Sequence, residues 1–171
     1  MSPLDPRPML NPHSTASIAG HPIHPMIVPI AIGGFILSFI FDIVCLASGT
    51  ADPWATVAFY TMIGGIVGAL CAAIFGFVDL LSLPAGYTKH VALTHMGINL
   101  TVVVLFIVNA YLRHGNAAIG GTPFILSIIG IALLVVSGWL GGKMVYEAGV
   151  GVSMGEPAAD RPAQPGRHIH T

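Results

Sequence analysis

Four histidines cluster where two apolar stretches begin. His21 and His24 frame the run His21-Pro22-Ile23-His24-Pro25, and His90 and His95 open a later stretch. Asn99 stands one helical turn beyond His95, Asp79 closes the stretch before it, and Glu147 follows the last one. Imidazole is a preferred ligand for haem iron and for Zn, Cu, Fe or Ni. Three chemistries can use this set. A b-type haem takes two axial imidazoles at similar depth on different helices, with small residues against the ring. His24 and His95 are the first choice, His21 and His90 the alternates, with Asn99 beside them. A mononuclear transition-metal ion draws its ligands from His21, His24, Asp79 and His95. A proton or small-ion path uses the same groups without a metal.

Each residue also has a plainer use. His21, His24 and His90 suit a polar membrane interface, Asp79 a helix cap or a pair with Lys89, and Glu147 the headgroup region. His95 is hardest to treat that way, because it lies inside an apolar stretch with Asn99 on its face. A smaller polar set comprises Asp42, Tyr60, Asn109 and Arg113. Its plain reading is an interfacial Asp42–Arg113 pair; its sharper reading is the far end of a transmembrane relay.

The elements that position these groups follow from composition. The chain has 171 residues, 54% hydrophobic and only 8% charged, with a mean hydropathy of +0.84. A soluble domain carries about a quarter charged residues, so the lipid bilayer is the expected surroundings. Four stretches are long enough to span, about 25–47, 57–83, 91–112 and 122–145, since a span takes about 20 apolar residues. Short turn-forming breaks separate them, so successive helices run antiparallel as neighbours. The expected fold is all-α: an up-down-up-down transmembrane four-helix bundle with both termini on one side. Residues 1–20 form a polar N-terminal segment without the apolar core of a cleavable signal peptide. Residues 21–152 form the membrane domain, and 153–171 a disordered tail rich in Pro, Ala and charge. The alternating tail histidines, His168 and His170, are weak metal chelators at best.

Arg7, Lys89, Lys143, Arg161 and Arg167 fall on the side of the termini and only Arg113 on the other. The positive-inside rule therefore expects both termini in the cytoplasm, for a chain in a bacterial inner membrane. That side also receives His21, His24, Asp79, His90, His95, Asn99 and Glu147. Gly65, Gly68, Ala72, Gly76 and Asp79 share one face of the second span, suited to a tight helix seam or to a groove for a flat cofactor. With six Lys plus Arg and a net charge of −1, no basic patch exists for nucleic acid. Cys45 and Cys71 lie within apolar stretches and read as small core residues. No Ser or Cys stands beside a base in a hydrolase-like arrangement.

The His21-Pro22-Ile23-His24-Pro25 entry resembles the start of a bacterial four-span membrane family, domain of unknown function 2231. The Gly76–Asp79 segment and the closing run from Gly138 to Val152 are similar to that family as well. The resemblance covers about residues 20–152. It implies four spans and no settled activity. Relatives joined to cytochrome c or Rieske-type modules imply a redox setting and a redox partner subunit. This sequence has neither Cys-x-x-Cys-His nor a Rieske ligand set. A homo-oligomer and a purely structural accessory subunit stand as further expectations.

Overall fold

The computed structural model describes residues 14–49, 53–115 and 120–152. The expected disordered tail, with its two histidines, and residues 1–13 lie outside this description. Four helices follow a small β-hairpin: α1 (Ile23–Ser48), α2 (Trp54–Ser82), α3 (Tyr87–Arg113) and α4 (Thr122–Tyr146). Each is long and apolar enough to cross a membrane. In the hairpin, strands β1 (Ser17–Ile18) and β2 (His21–Pro22) pair antiparallel, Ile18 opposite His21. The two turn residues, Ala19 and Gly20, both have positive φ, the geometry of a tight two-residue hairpin turn.

Local chemistry explains where the helices start and stop. Extended Pro22 precedes α1, so the helix starts two residues earlier than the apolar stretch suggests. Pro25 then lies within the first turn rather than at its first position, where its missing N–H still costs no hydrogen bond. Left-handed Gly49 ends α1, where a residue with a Cβ would be strained. Left-handed Gly121 sets up α4, whose second residue is Pro123.

The helices are apolar all round, and only a narrow stripe of each faces inward. Between 17% and 28% of each apolar window is buried. Large side chains such as Ile30, Tyr60, Ile74, Leu100 and Val135 point outward. In water such a surface would aggregate; facing lipid tails it costs nothing. The inward stripes are built for close approach. A Cβ on Gly34 would lie 2.6 Å from Gly65 Cα, so the α1 and α2 backbones touch. Helices α1 and α2 therefore pack as one tight hairpin and α3 and α4 as another, while the α2–α3 and α1–α4 seams are sparse. Phe35 and Phe106 join the two hairpins at the centre, their rings stacked at 4.0 Å and 7°.

Candidate functional site

The hairpin packing decides which histidines meet. His24, in the first turn of α1, lies against α2. Its Nδ1 is 2.8 Å from the Ala72 carbonyl oxygen. Its ring fills the space over Gly76, where a Cβ would sit 2.8 Å from Nδ1 and Cε1. His95, two turns into α3, lies against α4 in the same way. Its Nδ1 is 2.9 Å from the Ser137 carbonyl oxygen and 3.0 Å from Ser137 Oγ, and its Cε1 would lie 3.4 Å from a Cβ on Gly141.

A carbonyl oxygen only accepts, so Nδ1 carries the proton in both rings. Each neutral imidazole then keeps its lone pair at Nε2. This is the tautomer a ligating histidine uses, with the second nitrogen held by a backbone carbonyl. His95 Nε2 is 3.0 Å from Asn99 Nδ2, which also donates to the His95 carbonyl at 2.9 Å. Asn99 and His95 are thus in contact on α3, while His24 is held against α2, and all three are half-buried.

The other candidates point elsewhere. His21 is exposed and donates from Nδ1 to the Ala19 carbonyl at 3.0 Å. His90 is exposed and donates to the Gly86 carbonyl of its own first turn at 2.8 Å. Asp79 Oδ1 accepts from Ser14 Oγ at 2.8 Å and from the Ala16 amide at 3.0 Å, which ties the N-terminal hairpin to the end of α2. Lys89 donates to the Leu83 carbonyl instead of to Asp79. Glu147 is exposed, 3.7 Å from Lys143. Among the described residues, no group of three or more His, Cys, Asp or Glu could hold a metal ion.

Of the two uses of the small-residue face of α2, the tight seam is the one present. The glycine face of α2 is not a groove for a flat cofactor. Gly65 is covered by Phe35, Gly68 by Ile30 and Gly76 by His24. The small residues let α1 pack closely, and that packing fills the space. Tyr60, for its part, is 67% exposed and takes no part in the far-side polar set.

That far-side set is a closed buried network rather than an interfacial pair. Asp42 and Arg113 have side chains 0% and 1% exposed. Arg113 binds Asp42 through both terminal nitrogens, at 2.7 Å for Nη2 to Oδ2. Its Nε donates to Asn109 Oδ1 at 2.8 Å. Ser127 Oγ donates to Asp42 Oδ2 at 3.0 Å and accepts from Asn109 Nδ2 at 2.9 Å. Buried charges tolerate a membrane interior only when paired and fully bonded in this way. Sequence reasoning missed Ser127, Ser137 and the Ala72 carbonyl. A serine inside an apolar span and a main-chain oxygen carry little signal on their own. Only the packed partner reveals them.

The profile of a family described as a predicted membrane protein, domain of unknown function 2231, matches residues 20–154. No curated protein and no solved structure matches the chain.

Proposed function

The chain belongs to this family of predicted membrane proteins, and on that premise we propose that it is a redox subunit of a bacterial inner membrane. In this reading His24 and His95, one from each hairpin, would hold a b-type haem. One observation carries it. Two half-buried imidazoles, on helices of different hairpins, each donate Nδ1–H to a neighbouring helix's carbonyl and keep Nε2 as a lone pair. Haem iron bound there would supply one-electron transfer.

The chain's own residues then have defined tasks. The Ala72 and Ser137 carbonyls fix the tautomer and ring orientation. Asn99 occupies His95 Nε2 and must release it to iron. The stacked Phe35 and Phe106, 1% and 0% exposed, close the bundle beyond the histidines. That seal favours electron transfer over a proton or ion path, which would need polar groups through the same layer. Lys89 and Lys143 lie on the histidine side of the bundle, which supports placing that side, and both termini, in the cytoplasm.

Titrating the detergent-solubilised protein with haemin tests the reading. It expects a Soret band that saturates at one haem per chain and sharp α and β bands on dithionite reduction. His24→Ala and His95→Ala should each lose that spectrum, while the exposed His114→Ala retains it. A featureless titration of the wild type would overturn the haem reading in favour of an accessory role.

A further inference from the structure

The chemistry-bearing residues recur with one spacing. His24 and His95, Phe35 and Phe106, and Asp42 and Arg113 are each separated by the 71 residues that part the two members of the ion pair. The inward stripe of α1 is Ala31, Phe35, Ser38 and Asp42; shifted by that spacing it becomes Val102, Phe106, Asn109 and Arg113, all buried on α3. The second helices align as well. The buried residues of α4, Ser127, Gly130 and Ser137, correspond at one constant separation to buried Met62, Gly65 and Ala72 of α2.

Contacts repeat along with positions. Phe35 packs on Gly65, where a Cβ would lie 2.7 Å from its ring, and Phe106 packs on Gly130 at the same 2.7 Å. His24 binds the carbonyl of Ala72 and rests on Gly76; His95 binds the carbonyl of Ser137 and rests on Gly141. The recurrence is not a product of generic packing, since it matches specific hydrogen bonds and specific glycine seats in order.

We propose that the chain is a tandem repeat of one helical hairpin, and that the two copies face each other across a pseudo-two-fold axis along the membrane normal. The axis is marked by residues that meet their own counterparts: Phe35 stacks on Phe106 and Asp42 pairs with Arg113. His24 and His95 repeat at the same spacing, each held by a carbonyl of its own copy's second helix. From histidine to charge is eighteen residues, about 27 Å at 1.5 Å per residue, close to the ~30 Å of a bilayer's hydrocarbon core. The column therefore has two ends of different kind. At the histidine end each copy supplies one imidazole held by a carbonyl of its own second helix, so a ligand there would meet two like half-sites, that of His95 differing by Asn99 and the Ser137 hydroxyl. That near-symmetry fits a metal centre that one imidazole from each copy would hold. This last step rests on the redox reading above; the repeat itself does not. At the other end the copies differ in sign. Two first copies would bury two carboxylates and two second copies two guanidinium groups, so the charge pair permits only the mixed pairing.

The repeat is tested without haem by exchanging the supporting residues between the copies. The full-length variant Asp42→Arg, Ser38→Asn, Met62→Ser, Arg113→Asp, Asn109→Ser, Ser127→Met moves the network to its two-fold-related position. Asp42→Arg alone buries two arginines together and should lower the thermal midpoint in detergent sharply. The six-residue exchange should recover more than half of that loss. A midpoint as low as that of Asp42→Arg would overturn the repeat. A recovered exchange variant with a wild type that binds no haem would leave the repeat standing and sink the redox reading alone. For the half-sites, His24→Met and His95→Met in the haem-loaded protein should each shift the reduced spectrum; a shift from only one of them would overturn the shared site.

Discussion

Breaking the Asp42–Arg113 pair offers a large effect with a calculable sign. Both side chains are essentially inaccessible, and Arg113 is held by Asp42, Asn109 and Ser127 together. Asp42→Leu leaves a guanidinium buried without its carboxylate, a loss of about 3–5 kcal/mol. Arg113→Met leaves the carboxylate with Ser127 as its remaining donor, a loss of similar size. The double variant removes both charges. Ser127 keeps the Asn109 amide as a donor, while Asn109 Oδ1 and the Ser127 hydroxyl proton each lose a partner at about 1–3 kcal/mol, a loss that replacing the buried charges by apolar side chains offsets by about 1–4 kcal/mol. The double variant is thus more stable than either single one, and the two changes are non-additive by several kcal/mol. Thermal unfolding in detergent, followed by fluorescence of Trp54 and Trp139, reads this directly. At about 2–4 °C per kcal/mol, each single change lowers the midpoint by at least roughly 6 °C. Losses that add in the double variant would refute the picture of a closed pair with mutual desolvation.

Three further outcomes follow. Gly65→Ala puts a Cβ 2.7 Å from a Phe35 ring that cannot retreat past Phe106; it costs about 1–3 kcal/mol by thermal unfolding, whereas Gly64→Ala, with nothing within 4 Å, leaves the midpoint unchanged or higher. Gly76→Ala pushes the His24 ring off the Ala72 carbonyl and weakens haemin binding, while Gly141→Ala, at an ordinary 3.4 Å from His95, weakens it less; equal affinities in the titration would contradict this. Asp79→Ala removes the acceptor for Ser14 and Ala16, so limited proteolysis should cut ahead of α1 faster with no change in the bundle's thermal midpoint.

The four spans were legible because unbroken apolar length is the strongest signal a sequence carries. Their ends were less so. The first turn of α3, Tyr87 to His90, is polar and interfacial, so hydropathy begins only after it. Trp54, Ala55 and Thr56 likewise belong to α2 ahead of the apolar stretch. At the site, His95 stood out as an ionisable group inside a span. His24 is the first choice beside it with His21 as the alternate, because the two share one proline-rich motif and differ only in which meets α2. The Ala72 carbonyl and the seat on Gly76 make that choice, and both are properties of packing. The same packing selects the seam on the glycine face of α2. A row of small residues favours a seam but leaves a groove open until the facing helix is placed. The repeat escaped notice because the copies share few identical residues. Its trace is the recurrence of His, Phe and charge at one separation, which stands out once Phe35 stacks on Phe106 and Asp42 pairs with Arg113.

The account stands on His24 and His95 acting as one site shared by two hairpins. Low-temperature electron paramagnetic resonance of the ferric, haem-loaded protein tests this most directly. It predicts a low-spin signal of two imidazole ligands in the wild type, converted to high spin by His24→Ala and equally by His95→Ala. A wild-type signal that is high-spin, or that survives either substitution unchanged, would contradict it.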